Sequence, residues 1–259
     1  MLYLVMLLQL MLPVVALGEF GAKLIAVSAL LLLPLYLWAY TSEPNGRYHA
    51  LQREQIPWLY DGIAEMAERA GIKMPRVYLL EDYIPNAYSF KNTLVFSLGL
   101  FEVLGEEEIL AVAAHEIGHI KNGDTKLFPI IAYSRYTMAL LTVMVVVTSK
   151  NAWISFGSLM LYAFYELSRA EYLKEREFKA DHTALGLLHI PLSLKYALEE
   201  LKYYEDLRAS VKTSALPSIE PSIDRRQGSP LIETHPSYDE RILRIMIEVG
   251  HIAPYNKLQ

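Results

Sequence analysis

The stretch His115-Glu116-Ile117-Gly118-His119 lies inside a run, from about Glu106 to Lys121, whose pattern predicts a single helix. Residues four apart share one helical face, so both imidazoles can reach the same metal ion. Glu116 directly follows the first histidine, where a carboxylate can act as a general base. This HExxH pattern predicts the zinc site of a hydrolase, with His115 and His119 as two ligands.

Composition narrows the class of protein and the possible ligands. The chain has 259 residues, of which 53% are hydrophobic and 20% are charged, whereas average domains are about 45–50% apolar and about 25% charged. The net charge of −5 gives no basic signal, so nucleic acid is not an expected partner. Cysteine is absent, which leaves His, Asp and Glu as the plausible metal ligands.

Four apolar runs account for the high hydrophobic content, and they come in two pairs. They are residues 2–17, 24–40, 127–148 and 152–167. Each is close to the ~20 residues that cross a bilayer, so the pairs predict two transmembrane hairpins. A cleaved signal peptide is the alternative for the first run, and two buried core helices are the alternative for the second pair. Arg135 is the weak point of the third run, because an unpaired charge in lipid is costly.

The apolar runs divide the chain into four segments. They are residues 1–40, an N-terminal transmembrane hairpin; 41–126, the first part of a cytoplasmic catalytic domain; 127–167, a second hairpin; and 168–259, the second part of that domain, with the third-ligand helix, a loop and a C-terminal helix. Eight Lys or Arg lie near the span ends on the side of the polar segments, against two in the opposite loops. The positive-inside rule therefore places the HExxH motif in the cytoplasm.

Within the first polar segment, residues 56–71 have the pattern of an amphipathic helix that ends at Gly71. Three short strands are expected, at Val77–Leu80, Ala87–Phe90 and Thr93–Ser97. Strands followed by an HExxH helix are typical of the upper half of a zincin domain. The predicted fold is therefore mainly α with a small β-sheet. Residues 209–235, rich in Ser, Pro and charge, predict a long loop.

A catalytic zinc site usually needs a third protein ligand. The extended metzincin pattern fails, because Asn122 and Thr125 occupy the positions where it requires glycine and histidine. Asp124 is near in sequence, but Asn122-Gly123 should end the helix and turn the carboxylate away. A more distant acidic residue is therefore the better candidate.

Glu177 is that candidate. No glycine or proline lies between Gly157 and Gly186, so the fourth apolar run should continue as one helix through Glu177. Asp181 is four residues further on and shares its face. Glu177 would bind the metal, while Asp181 would accept the N–H of a ligating histidine. The alternative is an ordinary solvated, charged helix.

The motifs together resemble the HtpX family of membrane zinc metallopeptidases, a gluzincin type. The matching elements are His115 to Ile120 with Asn122-Gly123-Asp124, Arg176 to Asp181, Pro85-Asn86-Ala87, and His235-Pro236 with Arg241-Ile242. The resemblance implies one Zn²⁺ held by His115, His119 and Glu177, with Glu116 as the general base. It implies a multi-pass protein of the inner (cytoplasmic) membrane that degrades damaged or misassembled membrane proteins. Its partners would be the lipid bilayer and polypeptide substrates.

Further site residues follow from the same resemblance and from strand chemistry. The element that contains His235 and Arg241 would lie near the site, and these two are candidates to stabilise the oxyanion. Asn86, Ala87 and Tyr88 would form an edge strand that aligns an extended substrate, because Pro85 disfavours the centre of a sheet. Two other functions stay open: processing of one specific, for example prenylated, substrate, and a non-catalytic scaffold stabilised by zinc.

Overall fold

The computed structural model describes residues 1–41, 48–213 and 235–252. Along the chain the elements are α1 (Leu2–Leu17), α2 (Glu19–Thr41), β1 (Tyr48–Ala50), α3 (Pro57–Ala70), β2 (Arg76–Leu80), β3 (Ala87–Phe90), β4 (Thr93–Ser97), α4 (Leu98–Val103), α5 (Glu106–Lys121), α6 (Asp124–Thr148), α7 (Ala152–Leu187), α8 (Leu192–Thr213) and α9 (Tyr238–Ile252). The protein is mainly helical with a small mixed sheet, which confirms that part of the predicted fold.

The chain forms two compact units. The first contains α1 and α2, together with α6 from Lys126 onward and α7 as far as Glu175. The second contains the sheet, α3 to α5, the remainder of α7, α8 and α9. The HExxH motif and Glu177 both belong to the second unit.

The sheet of the second unit has the strand order β1-β2-β4-β3. β2 and β4 are parallel, with Val77 opposite Leu94, whereas β3 is antiparallel to β4, with Ser89 opposite Leu94. Every residue of β4 is buried. Among the described residues β3 has no partner on its other side, so the predicted edge strand is confirmed. The two strands turn at Lys91, whose φ is 51°.

Helix α5 occupies the core of this unit. It packs against α3, α8 and β3, and buried alanines such as Ala111, Ala113 and Ala114 allow neighbours to approach on several sides. The Gly105 N–H donates to the Glu108 carboxylate at 2.7 Å, and Gly123 with φ 76° follows the end of the helix. These local signals reproduce the predicted bounds, Glu106 to Lys121.

The first unit buries polar groups among its apolar residues. Gln9 of α1 donates to Thr142 Oγ1 of α6 at 2.6 Å. Arg135 of α6 donates to Glu166 of α7 at 3.0 Å, and Arg169 donates to the other oxygen of that carboxylate at 2.9 Å. Arg135, the weak point of the third apolar run, therefore has an acidic partner on a neighbouring helix.

The described helices support the membrane prediction only in part. Of these helices, α6 is the one that is both long and apolar enough to cross a membrane, while α1 is apolar but shorter. Four transmembrane helices are thus not established.

Helix α8 extends to Thr213, so the start of the predicted 209–235 loop is wrong: residues 209–213 are helical. Residues 214–234 lie outside the described part of the chain.

Candidate metal centre

Helices α5 and α7 bring the three predicted ligands together. His115 Nε2 and His119 Nε2 are 3.2 Å apart. Carboxylate oxygens of Glu177 lie 3.5 Å from His115 Nε2 and 3.6 Å from His119 Nε2. All three side chains are buried, and one ligand atom from each lies within 4.8 Å of the others. These residues form the group that could hold a metal ion.

A close approach of the two helices sets this geometry. A Cβ atom added at Gly118 would lie only 2.8 Å from the backbone oxygen of Ala180 and 3.1 Å from its Cα. Both residues are small, so the α5 and α7 backbones can nearly touch at this point. The contact places Glu177, one turn before Ala180, beside the two histidines.

The donor set fits zinc. His115 Nδ1 is 2.8 Å from an Asp181 oxygen, and His119 Nδ1 is 2.8 Å from an Asp124 oxygen. Each Nδ1–H therefore has an acceptor, and each Nε2 is left to offer a lone pair. Two nitrogens that bind a tetrahedral ion at about 2.0–2.1 Å stand about 3.3 Å apart, close to the observed 3.2 Å.

Asp181 supports His115 as the sequence predicts, and Arg241 contacts both the carboxylate and the histidine. Arg241 donates to the two oxygens of Asp181 at 2.8 and 2.6 Å. Burial raises the pKa of Asp181, but Arg241 and His115 lower it more, to about 2. Burial and Arg241 lower the pKa of His115, while Asp181 and Glu177 raise it to about 9. A metal ion would therefore displace a proton from His115.

Asp124 supports His119 in the same way, and the sequence argument missed this. The chain does turn after Lys121, yet Asp124 at the start of α6 is fully buried and accepts from His119. Its other oxygen binds the guanidinium of Arg176. The expectation that Asn122-Gly123 turns this carboxylate away from the site was wrong. The sequence feature that could have predicted this contact is the short separation of Asp124 from His119 along the chain.

The remaining predicted residues differ in their surroundings. Glu116 is buried on α5. Arg241 donates hydrogen bonds to Asp181 from Nε and from one terminal nitrogen. Its other terminal nitrogen lies 3.9 Å from a Glu177 carboxylate oxygen. His235 is exposed and belongs to the first unit. The oxyanion roles of Arg241 and His235 stay predictions.

The predicted substrate strand lies against the HExxH helix. Ala87 and Tyr88 belong to β3, which packs against α5. The Asn86 N–H donates to Ser97 Oγ, and the Ser97 N–H donates to the Asn86 carbonyl. These two bonds anchor the start of β3 to the end of β4.

Comparison with known proteins agrees with this geometry. The model of peptidase family M48 matches residues 53–248. A protease HtpX homologue of Persephonella marina is 32% identical and covers 77% of each chain. Homologues of the same name from Dictyoglomus turgidum and Acaryochloris marina are 30% and 29% identical. They cover 88% and 89% of this chain and 82% and 86% of their own lengths.

Proposed function

The chain belongs to the HtpX group of peptidase family M48 and is a metalloprotease, and we propose that it is a membrane-embedded zinc endopeptidase. Its substrates would be misfolded or damaged membrane proteins, cleaved at the cytoplasmic face. The observation that carries the chemistry is the buried group of His115, His119 and Glu177, with Glu116 next to the first ligand.

The residues of the site divide the work of amide hydrolysis. His115, His119 and Glu177 would hold the ion, which when bound acts as a Lewis acid and lowers the pKa of water toward ~7. Glu116 takes the proton of the attacking water and passes it to the leaving amine. Asp181 keeps the His115 imidazole oriented by accepting its Nδ1–H group. The site is thereby organised before substrate arrives.

Removal of the metal tests this function. The purified full chain in detergent should cleave an unfolded protein, lose that activity with a chelator and regain it when zinc is added. Cleavage would be followed by gel, with a lipidated peptide as the second substrate. Preference for the lipidated peptide would favour the processing enzyme. Bound zinc without any turnover would favour the scaffold and contradict the proposal.

The membrane placement rests on α6 and on the charge asymmetry of the chain. Helix α6 meets the length and hydropathy requirements of a span. The polar segments carry most of the Lys and Arg near the apolar runs, while the opposite loops offer Lys23 and Lys150. This asymmetry supports a cytoplasmic site.

Single-cysteine labelling in intact cells tests this topology, because the natural chain has no cysteine. Lys150→Cys should react with a membrane-impermeant maleimide added outside. Glu54 is exposed like Lys150 but lies in the polar segment expected in the cytoplasm. Glu54→Cys should therefore react only after the cells are opened. Labelling of both positions from outside would contradict the proposed orientation.

We also propose that Asn86, Ala87 and Tyr88 align the substrate. Hydrogen bonds alternate along an antiparallel pair, and Asn86 is bonded to Ser97 through its carbonyl. Ala87 therefore directs its backbone groups away from β4, where an extended substrate can pair with any side-chain sequence. In the cleavage assay, a peptide with methylated backbone amides should be cut more slowly than its unmodified twin. Equal rates would contradict strand pairing.

A further inference from the structure

The segment Arg176–Asp181 of α7 contacts the metal centre at three points. Glu177 lies beside both Nε2 atoms, and Asp181 accepts from His115. Arg176 binds Asp124, the residue that accepts from His119. About one and a half turns of α7 thus carry the candidate ligand Glu177, the His115 acceptor Asp181, and Arg176, which binds the His119 acceptor Asp124.

Asp124 is held entirely by charged and polar partners. Asp124 is 0% exposed. One oxygen lies 2.8 Å from His119 Nδ1, and the other binds Arg176. A buried carboxylate is costly without partners, and these two contacts give each oxygen of Asp124 a partner.

Arg176 also binds the end of the HExxH helix. Its guanidinium donates to the backbone carbonyl of Asn122 at 2.6 Å. The same side chain therefore joins the end of α5 to the start of α6, on either side of the turn at Gly123. A planar guanidinium can serve two acceptors in a fixed geometry, whereas an ammonium group is a single point charge.

We propose that Asp124 and Arg176 are positioning residues for His119. Asp124 accepts the Nδ1–H and so directs the Nε2 lone pair toward Glu177 and His115. Arg176 holds Asp124 in place through its contacts with the carboxylate and with the Asn122 carbonyl. The pair is the counterpart of Asp181 and Arg241 at His115, and the inference rests on the proposed zinc site. Such supporting contacts change metal affinity by about 10–100-fold in other metal sites.

Zinc affinity of the full chain in detergent is the direct test, measured by competition with a chromophoric chelator. Asp124→Asn should raise the zinc Kd about 10–100-fold. Arg176→Gln should also raise the zinc Kd. Arg176→Lys should raise the zinc Kd less, because lysine keeps the positive charge but lacks the planar guanidinium that binds two acceptors. The double variant Asp124→Asn with Arg176→Gln should be no weaker than Asp124→Asn alone, since both act on the same contact.

Arg53→Gln is the matched control. It removes a two-point Arg–Asp pair of the same unit, with Asp61 at 2.7 and 3.0 Å, but on the exposed surface. Its zinc Kd should equal that of the wild type. The absorption spectrum of the cobalt-substituted protein should change in Asp124→Asn and not in Arg53→Gln, which a purely structural role would not produce.

Two results would overturn the inference. One is a wild-type zinc Kd in Asp124→Asn with only the melting temperature lowered. The other, which applies even if Asp124→Asn does not fold, is an unchanged Kd and cobalt spectrum in folded Arg176→Lys and Arg176→Gln. A wild-type chain that binds no zinc would instead contradict the proposed function. The two failures are therefore distinguishable.

Discussion

Glu116→Gln is expected to lower kcat by about 10²–10⁴-fold, the usual contribution of a general base. Glutamine has the shape of glutamate but cannot take the proton of the attacking water. The ligands His115, His119 and Glu177 are untouched, so the variant should bind one zinc ion per chain. Single-turnover cleavage of an unfolded substrate, with zinc content measured on the same sample, provides both quantities.

Glu107→Gln is the control for this change. Glu107 lies on the same helix but is exposed in its first turn, so its removal should leave kcat unchanged. Cleavage by Glu116→Gln at the wild-type rate would rule out Glu116 as the base. Loss of zinc from that variant would show a structural effect at the metal centre instead.

Gly118→Ala is expected to separate the two helices that carry the ligands. The added methyl group would lie 2.8 Å from Ala180 O and 3.1 Å from Ala180 Cα, and backbone atoms cannot rotate away as a side chain can. Helix α7 must therefore shift, and Glu177 shifts with it. A ligand displaced by an ångström no longer serves the same site, so zinc affinity and kcat should both fall about tenfold or more.

Stability provides a second measure of the same substitution. Overpacking costs about 1–3 kcal/mol, which equals or exceeds the gain in helix propensity of about 1 kcal/mol, so Gly118→Ala should not gain stability. Gly186→Ala on α7 is the matched control, because a Cβ there meets no atom within 4 Å. It should be neutral or slightly stabilising and should leave zinc affinity unchanged. An unaltered zinc Kd in Gly118→Ala would mean that this contact does not position Glu177.

Where the sequence predicted structure well, the signals were local. The bounds of α5 follow from three glutamates in its first turn and from Gly123 after its last. β3 and β4 follow from short β-prone runs around a turn at Lys91. The unbroken α7 follows from the absence of glycine and proline over most of its length. The three-residue β1 was missed, since so short a strand exists only through its pairing with β2.

The sequence by itself located two residues of the candidate metal centre, because helical periodicity places both imidazoles of HExxH on one face of one helix. Only the tertiary structure decided what surrounds them. Asp124 and Arg176 are 52 residues apart, and Arg241 is 60 residues from Asp181. No local propensity relates such pairs. Arg176 reaches Asp124 from α7, which approaches α5 closely at Gly118, and Arg241 reaches Asp181 from α9.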